Sequence, residues 1–219
     1  MQRRAFSISA VTLAAATGIS ALPTLAQAQA RAFQSGSDYL TLDKPAATEA
    51  PAGKVEVVEF FWYNCPHCNS FEPMFDAWAK KQSKDVSVRR SPIAFRPDFE
   101  PQQRLYYVLE GLGKIDELHK KVFYAIHVEK QQLNTADQIT AWADKQGIPK
   151  AKFLEMYNSF SVSTKVRKAT QLQDAYALDG VPALGINGRY FTSGTQAKTL
   201  ERSLQVADSL IAQSRPNAK

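Results

Sequence analysis

The hydrophobic positions of this chain change period several times, and each change marks an element. Val55 to Trp62 reads VEVVEFFW, a nearly continuous apolar run of strand length. Such a run suits a central strand covered on both faces. From Pro66 to about Lys81 the period becomes helical, with Cys68, Phe71, Phe75 and Trp78 on one face. Pro73 inside that stretch removes a backbone hydrogen bond and is expected to bend the helix. Val86 to Phe95 reads as the next strand, closing near Pro97.

From about Asp98 to Leu178 the pattern is helical throughout. Ile115, Leu118, Val122 and Ile126 form one stripe, and Phe153, Met156, Tyr157 and Phe160 form another. Thr135 followed by Gln138 predicts a capping box, and Gly147-Ile148-Pro149 a stop. Gly180 is expected to end the last helix of this block. Strand character returns at Val181 to Phe191, where Asn187-Gly188 is a strong hairpin signal. A final helix is predicted from Thr195 to about Gln213, burying Leu200, Leu204, Ala207 and Ile211. Residues 29–53, interrupted by Gly36, Pro45, Pro51 and Gly53, read as an extended leader. The expected fold class is therefore α/β: one domain at 29–219, interrupted by an all-helical insertion at about 98–178.

Composition agrees with a globular domain. The 219 residues are 44% hydrophobic and 22% charged, which excludes a disordered chain. Arg3 and Arg4 precede an uncharged, weakly hydrophobic run from Ala5 to Leu25, and Ala26-Gln27-Ala28 follows. That order predicts a signal peptide over residues 1–28, cleaved after about Ala28, and so a periplasmic location. A transmembrane anchor fits less well, because Pro23 interrupts the run and no basic flank follows it. Arg3-Arg4-Ala5-Phe6 hints at a twin-arginine signal, so the export route stays open. The whole chain carries a formal charge of +6, and losing two arginines and no acid with the leader leaves +4. Its lysines are spread out rather than interleaved with aromatics, so a nucleic-acid partner is not expected.

Two cysteines in an exported chain usually make a structural disulfide. Cys65 and Cys68 would close a loop too short to contribute much as a crosslink. Their chemistry explains them better. Pro66 suits the first helical position, which places Cys65 at the helix cap, facing the unpaired amides of His67 and Cys68. Those amides and the positive end of the helix favour a thiolate, and a protonated His67 would add to the effect. A stabilised reduced form makes the disulfide an oxidant. Cys65, at the exposed tip, then takes the attack of a substrate thiolate, and Cys68, one turn in, is shielded.

A bare Cys-x-x-Cys is also half of a zinc site, but only His119 and His127, eight residues apart in the helical block, are near candidates for the rest. No metal is expected. Glu59 interrupts the apolar strand on the face of Val55, Val57 and Phe61. It reads as a buried carboxylate of raised pKa, placed to move protons beneath the cysteines. Glu56, at the strand's start, reads as exposed.

Glu59-Phe60-Phe61-Trp62-Tyr63-Asn64-Cys65-Pro66-His67-Cys68 resembles the active-site segment of the DsbA family, the periplasmic disulfide-forming oxidases of Gram-negative bacteria. Gly180-Val181-Pro182-Ala183 resembles that family's cis-proline loop, and the likeness runs over essentially the whole mature chain. Pro73 instead resembles the kinking proline of thioredoxin. The resemblance implies a thioredoxin-like fold with a helical insertion, and a cis Val181–Pro182 bond facing Cys65. Val181 and Pro182 would bind substrate peptide through backbone. It further implies catalysis by Cys65 and Cys68, tuned by Pro66, His67 and Glu59, with no cofactor beyond their disulfide. Reduced exported polypeptides would be the substrates of a monomer, with reoxidation by a DsbB-like, quinone-linked membrane protein. A low cysteine pKa and an oxidising disulfide are known properties of this family and have the same sign as the effect of the helix cap. The rival readings are a periplasmic reductase or isomerase and, from another class, a peptide-binding chaperone with a vestigial Cys-x-x-Cys.

Overall fold

The computed structural model describes residues 32–215. The expected signal peptide lies outside them. Five strands form one mixed sheet: β1 (Leu40–Thr41), β2 (Val55–Phe61), β3 (Val86–Pro92), β4 (Ala183–Ile186) and β5 (Tyr190–Ser193). Their order is β1-β5-β4-β2-β3, with β2 parallel to β3 and antiparallel to β4. α1 (Pro66–Ala79) links β2 to β3, and α7 (Leu200–Ser214) follows β5. Between β3 and β4 stand α2 (Glu100–Gly111), α3 (Ile115–His127), α4 (Ala136–Lys145), α5 (Lys150–Tyr157) and α6 (Phe160–Ala175). This is a thioredoxin-like fold with an inserted helical region.

Every residue of β2 is buried, as its apolar run requires. Val55 and Val57 pack with Phe71 and Phe75 of α1 and Leu204, Ala207 and Ile211 of α7. Val58 and Phe60 face the other way, toward Leu172, Tyr176, Phe191 and Ala46. Phe61, Tyr63, Cys65 and Cys68 join a third cluster with the helical insertion. The two cysteines therefore sit where sheet and insertion meet.

Glu56 corrects the sequence reading: it is 1% exposed, not solvated. Arg89 on β3 donates to both its oxygens at 3.0 and 3.4 Å, and the Glu49 amide donates at 2.7 Å. A buried carboxylate needs such partners, and these come from other segments. The leader also contributes more than expected. β1 pairs with β5, and the Ala46 amide donates to Gly188 O at 2.7 Å. Gly188 is irreplaceable there, having φ +64° and room for no side chain, since a Cβ would lie 2.3 Å from Ala46 O.

Element ends differ from the periodic reading where a side chain or turn intervenes. β3 stops at Pro92, not Phe95. The stripe Phe153, Met156, Tyr157, Phe160 is broken because Ser159 caps a new helix through the Val162 amide, leaving Phe160 81% exposed. α6 ends at Ala175, short of Gly180, closed by Ala177 at φ 48°. The Leu178 amide then reaches back to Gln173 O. α7 begins at Leu200 rather than Thr195, capped by Thr199. α1 runs unbroken through Pro73, which is exposed.

Candidate active site

Cys65 is the N-cap of α1. Its backbone is extended (φ −77°, ψ 117°), Pro66 takes the first helical position, and Sγ accepts the Cys68 amide at 3.4 Å. The Cys65 carbonyl accepts the Asn69 amide at 3.0 Å, opening the helical ladder. Both cysteines are free thiols. The Cys65 thiol is pulled down to about 6, above all by a hydrogen bond from the Cys68 thiol, which outweighs the opposing cost of burial. The amides of Cys68 and His67 and the charge of His67 add smaller effects in the same direction. Cys68 moves the other way: burial first, then its neighbour's sulfur, hold its thiol well above the ordinary range.

Cys65 is not at an exposed tip: it is 8% exposed, against 0% for Cys68, while Pro66 and His67 stand in solvent. The Val181–Pro182 bond is cis, and Cys65 Sγ donates to Val181 O at 3.4 Å. The carbonyl beside the cis bond thus lies against the sulfur.

Glu59 is 1% exposed and lies on the α1 side of β2. Arg90 of β3 donates Nε–H to it at 2.9 Å and Nη2–H to Glu72 of α1 at 2.7 Å. Burial, then the charge of Glu72, push the Glu59 carboxyl up to about 8 against the pull of Arg90. The charge of Glu59 in turn helps hold Cys68 protonated.

The loop before Cys65 is held from the helical insertion, and this the sequence did not reveal. Tyr63 is gripped at both ends by α3: its hydroxyl meets His119 Nδ1 at 2.8 Å, and its carbonyl accepts from His127 Nε2 at 2.7 Å. The eight-residue spacing of those histidines was the available signal, and its meaning is a hold on one residue. Asn64 donates to Asn134 Oδ1 and accepts from Gln102, both at 2.8 Å. Trp62 stacks flat on Phe99, with ring centroids 3.7 Å apart. Among the described residues, no group of His, Cys, Asp and Glu side chains could hold a metal ion.

Chemically, the arrangement presents one activated sulfur, one shielded thiol beside it and a buried acid below. Residues 56–205 match the family described as DSBA-like thioredoxin domain. The thiol:disulfide interchange protein DsbA of Burkholderia cepacia is 42% identical over 86% of this chain and 89% of its own. Its namesake from Pseudomonas aeruginosa is 38% identical over 88% and 90%. The crystal structure of Pseudomonas aeruginosa DsbA superposes with a TM-score of 0.80 at 37% identity, covering 85% of this chain and 96% of that one.

Proposed function

The chain belongs to the DsbA family and is a protein disulfide oxidoreductase that introduces disulfide bonds into exported proteins; from that premise we propose how its residues divide the work. A substrate thiolate attacks Cys65 Sγ in the enzyme disulfide, forming a mixed disulfide and displacing Cys68 as a thiolate. Cys68 holds its proton tightly once reduced, and Glu59, protonated near neutral pH, supplies that proton. A second substrate thiolate then attacks the substrate sulfur, and Cys65 leaves as a stable thiolate. The substrate loses two electrons to the cysteine pair and keeps the disulfide.

The observation that carries this reading is the capped sulfur: Cys65 Sγ accepts the Cys68 amide and titrates near 6. Pro66 sets the helix start, and the charge of His67 assists. Val181 and Pro182 offer backbone to an extended substrate segment, which suits a general oxidant. Residues 1–28 are removed on export, the mature chain from 29 onward works in the periplasm as a monomer, and a DsbB-like, quinone-linked membrane protein restores the disulfide. No resident cofactor takes part, because the family's redox group is the disulfide itself.

Equilibration of the Cys65–Cys68 pair against a glutathione series tests the direction of transfer. The pair is expected to stay reduced until the buffer is strongly oxidising. A pair that remains oxidised in cytosol-like buffers would overturn the oxidant reading and favour a reductase.

A further inference from the structure

A row of buried polar side chains runs from the strand below the cysteines to the loop before them. Glu59 (β2) pairs with Arg90 (β3) at 2.9 Å, and Arg90 pairs with Glu72 Oε1 (α1) at 2.7 Å. The other oxygen of Glu72 faces His119 Nε2 (α3) at 3.3 Å, and His119 Nδ1 meets the Tyr63 hydroxyl at 2.8 Å. Glu59, Glu72, His119 and Tyr63 are each less than 5% exposed, so water screens little of this.

The row holds two carboxyl groups and one guanidinium. Arg90 balances one ionised carboxylate, and the other is costly to bury as an anion. The two acids therefore compete for one proton, and the acid with more donors aimed at it stays ionised. His119 adds a donor to one side only. An imidazole Nε2 lone pair facing a carboxylate would be repelled, so the ring carries its proton on Nε2 and accepts the Tyr63 O–H on Nδ1. Burial keeps this ring uncharged. At 3.3 Å the contact is not a formed hydrogen bond, so among the described residues Nε2 is a buried polar atom without a hydrogen-bond partner, with the Glu72 carboxylate facing it.

We propose that His119 is a positioning residue that assigns the buried proton: its Nε2–H holds Glu72 ionised beside Arg90 and leaves the proton on Glu59, beneath Cys68. The inference rests on the role given to Glu59 above. The other titratable groups acting on His119 are Asp76 of α1, which is already paired with Lys80 and Lys120, and Tyr106 of α2, whose ring packs against it beside those of Phe61 and Phe123. Neither supplies a competing donor to Glu72.

Carboxyl-labelled glutamate in the full reduced protein, titrated by carbon NMR with Glu59→Gln to assign the signal, reads the proton's location. In the wild type, Glu59 is expected to titrate far above an ordinary carboxylate. In His119→Leu its proton affinity should fall at least tenfold. His119→Gln, which keeps an N–H donor, should restore it. If His119→Leu does not fold, Tyr63→Phe frees the tautomer and should lower Glu59 in the same direction. An unmoved Glu59 in the folded variant overturns the role of His119 alone. An ordinary Glu59 midpoint in the wild type overturns the role of Glu59 itself.

Discussion

The sulfur of Cys65 lies 3.4 Å from the carbonyl oxygen of Val181, a residue 116 positions away in the chain. The same sulfur accepts the Cys68 amide at 3.4 Å. These two contacts respond oppositely to loss of the proton. A thiolate cannot donate, so the Val181 contact serves the thiol alone, whereas the amide contact strengthens on a charged sulfur. The Cys65 thiol is pulled down to about 6 because the Cys68 thiol, with the helix amides, outweighs the cost of burial.

Because the Cys68 thiol is the largest of those donors, its removal should be felt at Cys65. Cys68→Ala should raise the Cys65 midpoint and cut its thiolate-to-thiol ratio at pH 6 by up to about tenfold, the change that roughly 1.4 kcal/mol produces. Cys68→Ser keeps an O–H donor and should shift it less. Ultraviolet thiolate absorbance against pH distinguishes the two, and midpoints unchanged from the wild type would leave the helix amides as the cause.

Reduced protein should resist unfolding better than the disulfide form, and the gap should depend on pH. The folded Cys65 pKa of about 6 lies below the unfolded thiol value of roughly 8.5. A depressed acid stabilises fully above its unfolded pKa and loses that contribution as pH falls through the folded one. The gap should therefore vanish by about pH 5, be on the order of 1–2 kcal/mol at pH 7, and stop growing near about pH 8.5, where the raised Cys68 thiol begins to oppose it. Urea unfolding of both redox forms across this range measures it.

Glu59 gives the opposite slope. Its folded pKa is raised to about 8, so stability is undiminished below the unfolded value and declines as pH rises toward 8. Glu59→Gln mimics the protonated acid. It should stabilise both redox forms by on the order of 1–3 kcal/mol at pH 7 and by almost nothing at pH 4. Its cost should appear as slower return of a proton to Cys68, seen as a slower exchange rate near neutral pH.

Gln102 fastens the Cys65 loop to the insertion. Its Nε2 donates to Asn64 Oδ1 at 2.8 Å and to Leu133 O at 2.9 Å, and the side chain is buried. Gln102→Ala leaves a buried carbonyl without its donor and should cost about 1–3 kcal/mol. Denaturant midpoints would show this, and an unchanged midpoint would mean the loop is held elsewhere.

What the sequence determined was local. The cap at Cys65, the Thr135–Gln138 capping box and the Asn187-Gly188 turn (φ 51° and 64°) depend on neighbours a few residues away, and all were legible. The apolar run of β2 likewise reported a strand covered on both faces.

Charges inside the fold were decided by tertiary structure. Glu56 and Glu59 lie three residues apart on β2 and face opposite sides; the aromatic neighbours of Glu59 pointed to its burial, but nothing nearby did so for Glu56. Glu56 is buried because Arg89 arrives 33 residues later, and Glu59 because Arg90 and α1 close over it. His119 and His127 were two marks on a helix until Tyr63 was found between them. A backbone preference is set by the residue and its nearest neighbours. The cost of burying a charge depends on which opposite charge the folded chain brings to it, and that partner is remote in sequence.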